Sequence, residues 1–116
     1  MGSVMIVDDS EDIRRMLRAV VADFAEPIYE CRDGNEACAA YVAHRPDCVL
    51  MDISMTPTDG LTATRNIVRM FPEARIVIVT QYDDARLRSA ALQAGACGYV
   101  LKDNLLDVRR FLKPSP

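Results

Sequence analysis

The chain has 116 residues, of which 50% are hydrophobic and 27% charged, with a formal net charge of -3 and a pI near 5.1. These values are typical of one globular domain and exclude a disordered chain. The acidic balance excludes a basic nucleic-acid surface. No apolar run reaches the ~20 residues that span a bilayer or forms a signal peptide, so we expect a cytoplasmic protein with no membrane partner.

Short apolar runs alternate along the chain with segments of helical periodicity. The predicted strands are 3–7, 28–31, 47–51, 75–79 and 97–101, and the predicted helices lie near 13–24, 33–44, 60–71, 83–95 and 104–112. The strands are almost entirely apolar, which is typical of parallel strands covered on both faces. The pattern therefore predicts an α/β fold, a doubly wound five-stranded parallel sheet with helices on both faces.

Caps and helix breakers mark the ends of the predicted helices. The residues of the first helix expected to face the core are Ile13, Met16, Leu17, Val20, Val21 and Phe24. Pro27 marks the end of that segment, and the stretch from Asp33 to Glu36 resembles a capping box that begins the second helix. Gly95 suits the left-handed position that ends the fourth helix.

The cysteines and the single histidine do not have the spacing of a zinc site. Cys31, Cys38, Cys48 and Cys97 form no Cys-x-x-Cys pair. We expect reduced thiols, and we expect Cys31, Cys48 and Cys97 to be buried in strand-like segments. His44 is predicted to lie on the surface at the end of a helix.

Polar residues stand where four of the apolar runs end: Asp8 and Asp9, Asp52, Thr80, and Lys102. The carboxyl ends of parallel strands lie along one edge of a sheet, so these side chains should meet. Three carboxylates repel one another and Lys102 offsets one charge, which favours an oxygen-binding hard cation such as Mg²⁺. A carboxylate can also accept a phosphoryl group as a nucleophile. Any one of these residues alone would more simply be a helix cap or a surface charge, but their joint placement predicts a site for Mg²⁺ and a phosphoryl group.

Four stretches carry a resemblance to a known family: VMIVDDSEDIRRML, VLMDISMTPTDGLTATR, IVIVTQYDD and AGACGYVLKDNL. They resemble the receiver domain of two-component response regulators, and within that family the NarL/FixJ subfamily with its LuxR-type output domain. The resemblance implies a flavodoxin-like fold with strand order 2-1-3-4-5. It implies a receiver domain over residues 1–113, with 114–116 as the start of a linker or tail.

The resemblance also assigns roles to individual residues. It implies that Asp52 is the phosphoacceptor, that Asp9, Asp52 and the backbone carbonyl of Ser54 bind Mg²⁺, and that Asp8 assists through a water molecule. Thr80 and Lys102 are expected to hold the phosphoryl group, and Thr80 and Tyr99 to form the switch. The domain would be a signalling phosphoacceptor that assists its own phosphorylation and dephosphorylation, and not an enzyme in the ordinary sense.

Three positions depart from the family pattern. Thr56-Pro57 places the proline one residue late, which should alter the loop beside the site. Gln81, followed by Tyr82, replaces the usual small residue, so these two side chains, together with Ser54, are predicted to tune dephosphorylation and to make it slow. Asp103 follows the lysine where many receivers have proline, and the isomer of that peptide stays open.

The expected partners follow from the same resemblance. The phosphodonor is a sensor histidine kinase or a small acyl phosphate, with Arg14, Arg15 and Arg18 on the exposed side of the first helix as candidate docking residues. A homodimer through helix 4, strand 5 and helix 5 is a further expectation. DNA would be bound only through an output domain absent from these 116 residues.

Other classes of protein share parts of this pattern. A haloacid-dehalogenase-type phosphatase also uses a strand-end aspartate, but it expects Asp-x-Asp and not adjacent Asp8-Asp9. A flavodoxin-type cofactor module would need a Ser/Thr/Gly-rich phosphate loop after its first strand, where acidic residues would repel a flavin phosphate. A stand-alone receiver, or an interaction module that works without phosphorylation, also remains open.

Overall fold

The apolar runs form one five-stranded parallel sheet in a computed structural model that describes residues 2–112. The strands are β1 (Gly2–Val7), β2 (Ala25–Cys31), β3 (Cys48–Met51), β4 (Ile76–Thr80) and β5 (Gly98–Leu101). They lie in the order β2-β1-β3-β4-β5, and every pair is parallel. The predicted fold class and strand order are confirmed.

Helices cover both faces of this sheet. They are α1 (Glu11–Val21), α2 (Gly34–His44), α3 (Gly60–Met70), α4 (Ala85–Ala94) and a C-terminal 3₁₀ helix (Lys102–Phe111). Alternate residues of β1 enter different cores, because successive side chains of a strand point to opposite faces. Met5 and Val7 pack with α2, α3 and α4, whereas Val4 and Ile6 pack with α1 and the 3₁₀ helix. Across residues 2–112, no helix has the length and apolarity needed to cross a membrane.

The first helix and second strand differ from their predicted forms. α1 ends at Val21, before Phe24, and Met16 is exposed although its spacing predicted a core position. The buried stripe of α1 is narrower than the apolar pattern, with Leu17 and Val21 fully enclosed. Pro27 lies inside β2, which a proline can do because β2 is an edge strand that pairs with β1 alone.

The predicted caps of α2 and α4 are present. The side chain of Asp33 accepts a hydrogen bond from the backbone N–H of Glu36 at 3.0 Å. The return bond of the expected capping box is displaced by one residue, because the Glu36 carboxylate accepts from the N–H of Arg32 at 3.3 Å. Gly95 ends α4 with a φ of 108°, in the left-handed region that favours glycine.

The last helix differs from the prediction in type and in starting point. It is a 3₁₀ helix that begins at Lys102, and Asn104 departs from helical geometry within it. In the described part of the chain, cis peptides precede only Pro27 and Pro57, so the Lys102–Asp103 peptide is trans. The linker predicted at 114–116 lies outside the described residues.

Burial was predicted for three of the four cysteines, and the prediction is confirmed at two of them, Cys31 and Cys48. All four cysteines are free; Cys31 and Cys48 are buried and Cys38 is partly buried. Burial raises the pKa of Cys31 to about 11 and of Cys48 to about 12, which keeps both protonated at neutral pH. The prediction for Cys97 is wrong: it is exposed, in the turn before β5. His44 is on the surface as expected, stacked on Tyr29 at 4.1 Å between ring centroids.

Candidate functional site

The strand-end residues meet at the carboxyl edge of the sheet. Asp8, Asp52 and Lys102 each follow a strand directly, and Thr80 is the last residue of β4. Asp8, Asp52 and Thr80 are buried, whereas Asp9 is exposed at the opening. A cavity of about 310 Å³ is lined by Asp8, Asp9, Asp52, Ser54, Thr80 and Lys102. Every residue predicted to bind the metal or the phosphoryl group therefore faces one space.

Lys102 forms the central ion pairs of this cavity. Its ammonium nitrogen lies 2.9 Å from Oδ2 of Asp8 and 3.2 Å from Oδ1 of Asp52. Burial opposes the positive charge, but the nearby carboxylates of Asp8 and Asp52 outweigh it and raise the pKa of Lys102. Although the side chain is only 18% exposed, the raised pKa keeps this cation charged at neutral pH.

Asp52 is held in an unfavourable environment for a carboxylate. Burial and then the neighbouring charge of Asp8 raise its pKa to about 6, and Lys102 offsets only part of this effect. Negative charge thus remains in excess, because Lys102 is shared between two buried carboxylates. At pH 7 most Asp52 side chains are ionised, as a nucleophile requires.

The donor set fits a hard divalent cation. Carboxylate oxygens of Asp8, Asp9 and Asp52 lie within 4.8 Å of one another. Oδ2 of Asp8 is buried and has no hydrogen-bond partner of suitable angle among residues 2–112, although Lys102 approaches it as an ion pair. A cluster of oxygen ligands with uncompensated negative charge matches the preference of Mg²⁺.

The loop after β3 is shaped by Gly60. A Cβ atom at this position would lie 1.8 Å from the carbonyl oxygen of Asp52, so only glycine lets α3 begin this close to the site. Asp59 caps α3 by accepting from the N–H of Thr62 at 2.8 Å. The same loop contains Pro57, whose preceding peptide is cis. Asp59 and Gly60 are thus both needed for the start of α3, whether or not a metal is bound.

Thr80 and Tyr99 are connected through the backbone of Tyr82. Oγ1 of Thr80 accepts from the N–H of Tyr82 at 3.2 Å, and the hydroxyl of Tyr99 donates to the carbonyl of Tyr82 at 2.6 Å. The guanidinium of Arg88 lies 4.4 Å from the centre of the Tyr99 ring. Gln81 and Tyr82 also line the cavity. The two predicted switch residues therefore bind the same residue, Thr80 through the N–H of Tyr82 and Tyr99 through its carbonyl.

The family called the response regulator receiver domain matches residues 4–110, which include the whole cavity. The chain belongs to this family. Receiver domains bind Mg²⁺ at an acidic pocket, and response regulators interact with sensor kinases. The phosphatase and flavodoxin alternatives are not supported by this match. The receiver domain described here has a matching Asp cluster at its strand ends.

Individual relatives agree with this family and with the NarL/FixJ subfamily. The uncharacterized transcriptional regulatory protein YhcZ of Bacillus subtilis is 39% identical over 102 residues, covering 86% of this chain and 48% of YhcZ. The chemotaxis protein CheY of Halobacterium salinarum is 37% identical over 112 residues, covering 97% of this chain and 88% of CheY. A LuxR-family two-component response regulator from Aurantimonas sp. SI85-9A1 has a crystal structure with a TM-score of 0.84 at 30% identity, covering 97% of this chain and 85% of that one.

The receiver domain spans about half the length of the first curated relatives it matches. The receiver domain is similar both to a transcriptional regulator, YhcZ, and to a chemotaxis protein, CheY. The identities are 39% and 37%, and the matches cover 86% and 97% of this chain.

The arginines of α1 do not all lie where the sequence predicted. Arg15 and Arg18 are exposed, with 71% and 46% of their side chains accessible. Arg14 was also expected on the exposed side, and this is wrong: its side chain is 12% exposed and pairs with Glu30. The periodicity of α1 could not show this, because the partner of Arg14 lies on β2.

Sequence reasoning missed three hydrogen bonds at or beside the receiver site. The N–H of Ser10 donates to Oδ1 of Asp8 at 2.9 Å, and the Ser10 side chain caps α1 by accepting from Ile13 at 3.3 Å. Serine followed by acidic residues is a helix-start signal that was available in the sequence. The guanidinium of Arg14 donates to the carbonyl of Asp8 at 2.7 Å, and no sequence pattern indicates that bond.

Proposed function

We propose that this receiver domain accepts a phosphoryl group on Asp52 from the phosphohistidine of a sensor kinase. The observation that carries the proposal is the buried Asp52 carboxylate, 3.2 Å from the Lys102 ammonium and inside the acidic cavity. A small acyl phosphate would serve as an alternative donor. The domain assists its own phosphorylation and dephosphorylation and is not an enzyme that turns over a separate substrate.

The chemistry is a single displacement at phosphorus. A carboxylate oxygen of Asp52 attacks, an O–P bond forms, and the N–P bond of the phosphohistidine breaks. The imidazole leaves with the electron pair and takes a proton from solvent. Lys102 neutralises the charge on the transferred oxygens. Thr80 uses its oxygen as an acceptor for the Tyr82 N–H, which leaves the hydroxyl hydrogen free to donate to the phosphoryl group.

The proposal includes Mg²⁺ as the cofactor. Asp9, Asp52 and the backbone carbonyl of Ser54 would hold the ion, and Asp8 would assist through water. Bound there, Mg²⁺ supplies positive charge to the oxygens of the transferred group. Support comes from the proximity of the three aspartates and from the excess negative charge described above.

Intact-mass measurement after incubation with acetyl phosphate and Mg²⁺ tests the proposal. Wild type should gain one phosphoryl group, and should gain none when EDTA removes the metal. Asp52→Asn, which keeps the shape of the side chain, should gain none under either condition. A wild type that never gains the mass contradicts the proposal, and equal gain by Asp52→Asn would move the acceptor to another residue.

We propose that signalling uses two further regions. Thr80 and Tyr99 would switch the surface formed by α4, β5 and the 3₁₀ helix, and that surface would pair two copies. Size-exclusion chromatography before and after phosphorylation tests the pairing, and an unchanged monomer at high concentration argues against it. Arg15 and Arg18 would help to dock the kinase, while Arg14 is left out because it is largely enclosed.

The output is proposed to be transcriptional, through a DNA-binding domain that follows a receiver domain of residues 1–113 and a linker beginning at 114–116. Support comes from relatives such as YhcZ, of which the match covers 48%. A stand-alone receiver is the second candidate, because the match to the Halobacterium CheY covers 88% of that protein. The proposed location is the cytoplasm, in keeping with four free cysteines. The mass of the protein in cell extracts, measured by immunoblot, distinguishes the two candidates.

A further inference from the structure

Arg14 connects three parts of the structure around the acidic cavity. It lies on α1, its Nε donates to Oε1 of Glu30 on β2 at 3.0 Å, and its Nη1 donates to the carbonyl oxygen of Asp8 at 2.7 Å. The planar guanidinium makes both contacts at once, which a lysine ammonium on a flexible stem does not reproduce. The side chain is enclosed at 12% exposure, so its position is well defined.

The bond to the Asp8 carbonyl fixes the peptide that precedes Asp9. A peptide unit is planar, so the Asp8 carbonyl and the Asp9 nitrogen turn together. The carboxylate of Asp8 is already held by the Ser10 N–H and by Lys102. Asp9, by contrast, is exposed, so the direction of its side chain depends on the orientation of its backbone. Arg14 is therefore placed to set where the Asp9 carboxylate points.

Glu30 holds Arg14 in turn. It lies opposite Ile6 of β1 in the sheet register, one third exposed, and accepts hydrogen bonds from both Arg14 and Arg18. Burial opposes the charge of Glu30, but the bonds from Arg18 and Arg14 outweigh it and lower its pKa. Arg18 shares the Glu30 carboxylate, but only the guanidinium of Arg14 also donates to the backbone carbonyl of Asp8.

We propose that Arg14, held by Glu30, is a positioning residue of the metal site, which orients the Asp8–Asp9 peptide so that the aspartates bind Mg²⁺ together. This inference rests on the proposed function, since it assumes that the cavity binds Mg²⁺. Arg14 touches neither the ion nor the phosphoryl group, and acts only through Asp8 and Asp9. Partners that orient metal ligands typically change affinity by 10–100-fold when removed, so we expect a loss of about tenfold.

Calorimetric titration of the chain with Mg²⁺ alone tests the inference. Arg14→Gln should raise the Kd for Mg²⁺ by about tenfold, and Arg14→Lys, which keeps the charge, should also raise it. Arg18→Gln is the matched control: it removes the same charge and a bond to the same Glu30 without touching Asp8. Its Kd should stay within about twofold of wild type. Circular dichroism at the titration temperature shows which variants are folded. If Arg14→Gln is unfolded, the Kd of Arg14→Lys is compared with that of wild type instead.

Each outcome separates the two proposals. Wild type that binds Mg²⁺, together with weakened Arg14 variants and an unchanged Arg18→Gln, supports the positioning role. Arg14 variants with the wild-type Kd overturn it while leaving the proposed function intact. An equal loss of Mg²⁺ affinity in Arg18→Gln also overturns the positioning role. The effect would then come from the lost charge or from the lost bond to Glu30, and not from the contact with Asp8. Absence of binding in wild type overturns the metal site itself.

Discussion

The ammonium of Lys102 lies 3.2 Å from a carboxylate oxygen of Asp52, although their strands are not neighbours in the sheet. Lys102 follows β5 and Asp52 follows β3, with β4 between them. The lysine side chain thus reaches past the end of β4, where Thr80 lies, to complete the site. Among the described residues that line the cavity, Lys102 is the only cation. Its removal should therefore lower the stability of the folded protein.

We expect Lys102→Gln to lower the free energy of unfolding at pH 7 by about 3 kcal/mol without Mg²⁺, because two buried carboxylates lose their counter-charge. Mg²⁺ should restore part of that loss. Urea unfolding with EDTA and with Mg²⁺ measures both effects. The control is Arg110→Gln on the same 3₁₀ helix, whose exposed side chain forms an ion pair with Asp107 and lies 5.5 Å from the centre of the Phe111 ring. Equal losses in the two variants would argue against a central role for the lysine.

Asp52 should make the metal-free protein less stable as the pH rises. Its pKa is raised to about 6 in the folded protein by burial and by Asp8, so the folded state binds the proton more tightly than the unfolded chain. The free energy of unfolding then falls between about pH 4 and about pH 6, by roughly 3 kcal/mol at most, and the loss persists at pH 7.

Asp52→Asn removes the titration of this carboxyl group. The difference in free energy of unfolding between wild type and variant therefore isolates the contribution of Asp52 from that of other groups. Urea unfolding in EDTA should show that the free energy of unfolding of the variant, relative to that of wild type, is higher at pH 7.5 than at pH 4.5. Glu30, whose pKa is lowered, contributes with the opposite sign but equally to both proteins. A difference that does not vary with pH would contradict the raised pKa.

Gly60→Ala should be strongly destabilising. The added Cβ would lie 1.8 Å from the backbone carbonyl of Asp52, and backbone atoms cannot move aside as a flexible side chain does. Overpacking of this kind costs about 3 kcal/mol or more. Gly2→Ala is the control, since the atoms nearest to its Cβ would belong to the Asp47 side chain, at 3.1 Å. Thermal unfolding of both variants measures the contrast, and similar midpoints would show that the loop adapts.

Gln81→Ala or Tyr82→Ala should speed the loss of the phosphoryl group from Asp52 several-fold, because both side chains line the cavity and hinder an attacking water. The measurement is the decay of the phosphorylated mass after acetyl phosphate is removed. Leu92→Ala, an exposed position on α4, controls for general effects of truncation. Decay at the wild-type rate in both variants would show that these side chains do not limit water access.

Much of the site was predictable because its chemistry sits at strand ends. Asp8, Asp52, Thr80 and Lys102 each mark the end of an apolar run, and parallel strands place those ends along one edge. The order of the runs then predicts which groups meet, without knowledge of side-chain contacts. Gly95 was predictable for a similar local reason, since a left-handed residue that ends a helix favours glycine.

The errors occurred where position depends on a distant element. Met16 fits the apolar spacing of α1, but the sheet and the 3₁₀ helix cover only a narrower stripe. Cys97 lies in an apolar stretch, yet it precedes the strand and stays exposed. Pro27 reads as a helix stop, whereas an edge strand accommodates it.

The sequence by itself determined the fold class, the strand order expected from family resemblance, and the set of charges that share a cavity. The fold class and the set of charges follow from periodicity and from which residues end each strand, and both are local properties of the chain, whereas the strand order was implied by the resemblance alone. Only the tertiary structure decided that Arg14 faces inward while Arg15 and Arg18 face solvent. The three arginines look alike along α1. Glu30 on β2 accepts hydrogen bonds from both Arg14 and Arg18, but of the three only Arg14 also donates to the Asp8 carbonyl in the described structure, and this contact draws it inward.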